Sequence, residues 1–124
     1  MGIVKRVLCP QRLRRVPPQF NWIDHRLVRD RHISRLSVQA LALYLFLVTV
    51  ADAEGLSYYS DLSVSRLLPL DEPAILRARD ELIAAQLIAY RKPLYQVLAL
   101  DPPRQALQEP LSLGRILRDL ERAP

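Results

Sequence analysis

Apolar and polar positions along the chain change rhythm several times, and each change marks an expected element. Residues 1–19 have little periodicity and end in Pro17-Pro18, so they read as an extended arm. Phe20, Trp22, Ile23, Leu27 and Val28 then place apolar anchors among charges, as expected of a short irregular or helical segment packing on the main body. Ser37 suits the N-cap of a long helix, Val38 to about Ala53, closed by Gly55. That helix, "VQALALYLFLVTVADA", is apolar nearly all round, and a helix without a polar face must be covered on several sides. The N-terminal anchors, the remaining helices and a second chain are the candidate covers.

"LSYY", Leu56 to Tyr59, reads as a short strand of aromatic β-formers. Ser60 then caps a short helix through about Leu68, with Asp61 favourably placed in its first turn, and Pro69 ends it. Asp71 caps the next helix, which runs to about Gln86. Pro73 is tolerated in its first turn because that N–H has no intrahelical partner. Ile88 to Tyr90 and Leu94 to Leu100 form two strands around a tight turn at Arg91-Lys92-Pro93, and Asp101-Pro102-Pro103 terminates the sheet. A last amphipathic segment sets Leu113, Ile116, Leu117 and Leu120 on one helical stripe, expected to dock on its own core or to join another chain.

The expected order is helix, strand, helix, helix, strand, strand. That is the topology of a winged helix-turn-helix: an α+β, mainly α unit of three helices with a small antiparallel sheet and a hairpin wing. The chain divides into a basic arm at 1–19, a winged-helix domain at 20–100, and a Pro-containing linker with a short amphipathic helix at 101–124.

Charge sharpens this picture because it is unevenly placed. The chain is net +5, yet residues 1–35 hold nine Lys/Arg against two Asp, and residues 36–100 hold five against seven Asp/Glu. The basic character belongs to the arm, and such an arm attracts polyanions, nucleic acid foremost. The lone Cys9 excludes an intramolecular disulfide and fits a reducing compartment. The uncharged stretch Val38 to Ala51 is short of the roughly 20 residues that span a bilayer. No apolar signal region precedes the arm, so a cytoplasmic location is expected, with no membrane partner. His25 and His32, near Asp24 and Asp30 but far from Cys9, make a poor metal set. With three glycines and no phosphate loop or acid/base motif, neither an enzyme nor a cofactor is expected.

Two stretches, "LALYLFLVTVADAEGLSYYSDLSVSRLL" and "AILRARDELIAAQLIAY", resemble the winged-helix domains of phage and plasmid replication proteins and of accessory proteins of bacterial mobile elements. Those domains pair an apolar first helix with a short strand ending in Ser, a two-helix reading unit and a closing Leu-Ile. Ile75, Ala78, Leu82, Leu87 and Ile88 fall at the spacings of the family's core residues. The resemblance covers about two-thirds of the chain and implies double-stranded DNA as partner, in replication, transposition or local regulation. The chain departs from the family in two places. Asp71-Glu72-Pro73 stands where the reading helix commonly starts with Ser or Thr, and Gln86 stands where Gly precedes the closing pair.

The third helix poses the functional question, since Asp71, Glu72, Asp80 and Glu81 face only Arg77 and Arg79. Turning 100° per residue, Ile75, Ala78, Leu82 and Ala85 cluster on the buried side, opposite Pro73, Leu76, Arg77, Asp80 and Ala84. Arg77 is then the one outward donor for guanine or phosphate, while Arg79 would have to extend its stem to reach solvent. Asp71 and Glu72 complement the helix dipole. Backbone affinity is expected from Lys5, Arg6, Arg12, Arg14 and Arg15 in the arm and from Arg91 and Lys92 at the wing, with Ser63 adding a neutral contact. Leu76 suits a thymine methyl or a protein partner equally. The rival expectation is therefore an interaction or assembly module, joined to a second copy or another protein through the Leu76 face, the first helix or the C-terminal helix.

Overall fold

A computed structural model describes residues 5–100 of the chain. Its elements are α1 (Arg26–Arg29), α2 (Val38–Val50), β1 (Leu56–Tyr58), α3 (Asp61–Leu67), α4 (Glu72–Ala84), β2 (Ile88–Arg91) and β3 (Leu94–Val97). Short 3-10 turns at Pro10–Arg12 and Ile33–Arg35 precede α1 and α2. The strands form one antiparallel sheet in the order β1-β3-β2. The fold is thus α+β, with helices predominating. The expected linker and amphipathic segment at 101–124, including Leu113, Ile116, Leu117 and Leu120, lie outside the described residues.

Each longer helix begins where a side chain can accept a bond from an unpaired amide. Ser37 Oγ accepts from Ala40 N–H at 3.1 Å, Ser60 Oγ from Ser63 N–H at 3.1 Å, and Asp71 Oδ1 from Ala74 N–H at 2.9 Å. The Ser37 cap is completed from a distance. The Glu81 carboxylate of α4 accepts from Ser37 N–H at 2.9 Å and Ser37 Oγ–H at 2.8 Å. This is the reciprocal arrangement of a capping box, with the acid supplied 44 residues along the chain rather than three.

The core sits where α2, α4 and the sheet meet. Leu43, Leu47, Val64, Ile75, Leu82, Leu87, Ile88 and Tyr95 are its largest fully buried side chains. Ile75, Ala78 and Leu82 are buried at the expected helical spacing and Arg77 is exposed, so the phase of α4 is as expected. Ala85 is exposed instead of buried, because α4 ends at Ala84 and Ala85 is already its C-cap.

The remaining differences lie at element ends. α2 stops at Val50, three residues early, because Asp52 Oδ1 accepts from Glu54 N–H and Leu56 N–H and folds a local turn there. Gly55 in that turn has φ +86°, and a Cβ on it would meet the Val97 carbonyl oxygen at 2.6 Å. β3 ends at Val97 rather than Leu100, although Leu98 N–H still donates to the Leu87 carbonyl. Of the expected N-terminal anchors only Leu27 is buried. Phe20, Trp22 and Ile23 lie ahead of α1 and are exposed, and within the single turn of α1 Leu27 faces inward while Val28 is exposed.

Candidate nucleic-acid interface

The outward face of α4 consists of what the core does not use. Glu72, Pro73, Leu76, Arg77, Asp80, Ile83 and Ala84 are all exposed. Asp71 is occupied as the cap and Glu81 as the second half of the Ser37 cap. Among the described residues Arg77 has no carboxylate partner, and it is exposed on the outward arc of the helix that Asp80 shares.

Arg79, expected nearer the buried side, does not extend its stem to solvent but turns inward. It is 7% exposed, and its Nη1 donates to Asp61 Oδ1 at 2.7 Å and to Tyr95 Oη at 3.0 Å. Its guanidinium carbon lies 4.2 Å from the centre of the Tyr90 ring. Burial works against the charge, but the bonds Arg79 donates to Asp61 and Tyr95 outweigh it and its pKa is raised. Burial likewise pushes the Tyr95 phenol up, so that hydroxyl remains protonated. The group ties α4 to the start of α3 and to both strands of the hairpin. The inward route is chosen because Arg79 lies at the edge of the buried arc and finds a carboxylate and two rings there. Asp61 is therefore an ion-pair partner as well as an acid in the first turn of α3. A chain read locally gives no sign of this pairing across 18 residues.

The basic residues fall into separated groups. Lys5, Arg6, Arg12, Arg14 and Arg15 are exposed along the arm. Arg14 and Arg15 line a cleft against Tyr44 and Leu45 of α2, to which neither α4 nor the β2–β3 turn contributes a residue. Arg91 and Lys92 are exposed at the tight turn of the hairpin. Ser63 is half-buried, and its Oγ accepts from the Ser60 hydroxyl at 3.0 Å, so it is bound within its own helix start. Leu76 is 46% exposed beside Arg77. The structure therefore gathers Leu76 and Arg77 on one helix and Arg91 with Lys92 on one turn. Arg14 and Arg15 stand on another wall.

Asn21 is a structural residue that sequence reasoning passed over. Its Nδ2 donates to the carbonyls of Thr49 at 3.1 Å and Ala51 at 2.8 Å, closing the C-terminus of α2 and fixing the base of the arm. Only its position between two apolar anchors hints at this role. Among the described residues no three His, Cys, Asp or Glu side chains converge as a metal site, and no helix is long and apolar enough to cross a membrane. Comparisons with protein-family models, curated proteins and solved structures gave no match to this chain.

Proposed function

We propose that the protein is a non-enzymatic winged-helix binder of double-stranded DNA, with α4 as the reading helix and the β2–β3 hairpin as the wing. The observation that carries the reading is Arg77, an exposed guanidinium on the outward face of α4 with no carboxylate partner among the described residues. The order β1-β3-β2, with Arg91 and Lys92 at the turn following α4, supports the same docking. In this reading the arm and turn cations hold phosphates, and Arg77 supplies a modest preference at base edges. The setting, a bacterial or phage mobile element in replication, transposition or local regulation, rests on the family resemblance.

A second reading is favoured by a different observation. Leu76 and Ile83 are exposed one above the other on the same face of α4, with carboxylates around them. That composition suits a protein partner and an assembly role. Gel-shift titrations separate the two. Arg77→Ala should weaken a preferred duplex by about 1–3 kcal/mol and others less, while Asp80→Ala leaves binding unchanged or strengthens it. Loss of self-association or partner capture in Leu76→Asp, with weak duplex affinity in every variant, selects the assembly module.

A further inference from the structure

Among the described residues a mainly apolar cleft lies away from α4. It has a volume of about 720 Å³ and runs between residues 14–28 and α2, and Trp22, 72% exposed, lines it with Phe20, Leu41, Leu45 and Val48. A second cleft of about 250 Å³ adjoins it, sharing Trp22, Ile23, Tyr44 and Val48, and its far wall is Val97 to Leu100. Large apolar side chains are seldom left exposed together without something to cover them. The described chain leaves the body at Leu100, in the wall of this same groove.

We infer that the groove is covered by the chain's own C-terminal segment, with Leu113, Ile116, Leu117 and Leu120 seated against Trp22 and α2. These four residues have the spacing of a helical stripe. At 100° per residue, Arg115, Arg118 and Arg122 fall on the opposite side, and Asp119 and Glu121 flank the stripe at its two margins. The groove carries charges of both signs, Arg14 and Arg15 with Asp24 in the first cleft and Arg26 with Asp52 and Glu54 in the second, so the match between stripe and groove is between their apolar faces. Residues 101–112 can extend to about 40 Å, longer than the roughly 30 Å diameter of a body this size, so reach imposes no barrier. Such a tether holds the segment at an effective concentration of about millimolar, an advantage that a second copy lacks. The seated segment would fix the base of the arm, so Arg14 and Arg15 would project from a rigid edge. This assignment is independent of whether the protein binds DNA.

Trp22 is the only tryptophan in the chain, so its fluorescence reports the groove without labelling. The full chain, Leu117→Asp, Leu45→Asp and the opposite-face control Arg118→Gln should be compared across a wide range of protein concentration, with circular dichroism confirming the fold. Leu45 is exposed, so its substitution challenges the groove and not the core. The expected result is blue-shifted, quencher-protected emission in the full chain and in Arg118→Gln, independent of concentration. Leu117→Asp and Leu45→Asp should each shift emission to the red and raise acrylamide quenching several-fold. Equal exposure of Trp22 in all four proteins overturns the inference. Protection that appears only as concentration rises, with a dimer in sedimentation, also overturns it and assigns the groove to a second copy.

Discussion

The Arg79 guanidinium donates to Asp61 Oδ1 at 2.7 Å, and this one contact explains much of the acidic appearance of α4. It withdraws one of the helix's two cations from its outer surface and joins it to the first turn of α3. The pair is unequal, since the Arg79 side chain is 9% exposed and that of Asp61 31%. Removing Asp61 strands a buried charge, whereas an apolar replacement of Arg79 leaves the buried Tyr95 hydroxyl without its partner but no unpaired buried charge. Asp61→Ala should therefore destabilise the protein by about 2–3 kcal/mol, below the 3–5 kcal/mol of a fully buried pair because solvent reaches Asp61. Arg79→Met should cost less. Denaturant unfolding of both variants checks the order, and a larger loss in Arg79→Met would contradict it.

Glu81 makes a second long-range use of an α4 acid. Its carboxylate bonds the Ser37 amide and hydroxyl and thereby locks α2 against α4. Glu81→Ala should cost about 1–2 kcal/mol, comparable to removing Ser37 itself, and the double variant should lose less than the sum of the two. Additive losses in a double-mutant cycle would show that the two residues act separately.

At Gln86 the helix ends in a left-handed conformation, φ 61°, that a side chain enters at a cost. Gln86→Gly relieves that cost but loosens the unfolded chain, so stability should be unchanged or rise by up to about 1 kcal/mol. Gln86→Val should lower it. A thermal melt showing Val tolerated better than Gly would refute the strain.

Asp24 is held well below the ordinary carboxylate range, at about 2, because its side chain accepts from the Arg26 side chain and backbone N–H. A folded-state pKa below the unfolded value contributes stability above pH 4, and that contribution disappears as pH falls from about 4 toward 2. In an NMR titration, Arg26→Ala should move the Asp24 midpoint up toward 3.8. An unmoved midpoint would remove the guanidinium as the cause.

The legible features were those set by neighbours in sequence. Ser37, Ser60 and Asp71 cap helices because each cap is a three-residue event. The stripe Ile75, Ala78, Leu82 declares its own phase. Phe20, Trp22, Ile23 and Val28 misled because hydrophobicity reports a cost of exposure without naming the surface that relieves it. Arg79 with Asp61, and Glu81 with Ser37, join residues 18 and 44 apart, a scale on which periodicity is silent. The candidate site follows the same division. Arg77, Arg91 and Lys92 could be placed from local pattern, but Ser63 was placed without its internal hydroxyl partner, and the separate wall of Arg14 and Arg15 depends on tertiary packing.

The central claim is that phosphate contacts from the arm and the β2–β3 turn drive binding to duplex DNA. Its most direct test is the salt dependence of duplex affinity for the full chain beside a variant with Lys5, Arg6, Arg12, Arg14, Arg15, Arg91 and Lys92 changed to Gln. Seven phosphate contacts allow a log–log slope of up to about −6, at roughly −0.9 per contact. The account predicts a steep slope for the full chain, shared by unrelated duplexes, and a nearly flat one for the variant. Binding absent even at low salt, or a slope the seven substitutions leave unchanged, would contradict it.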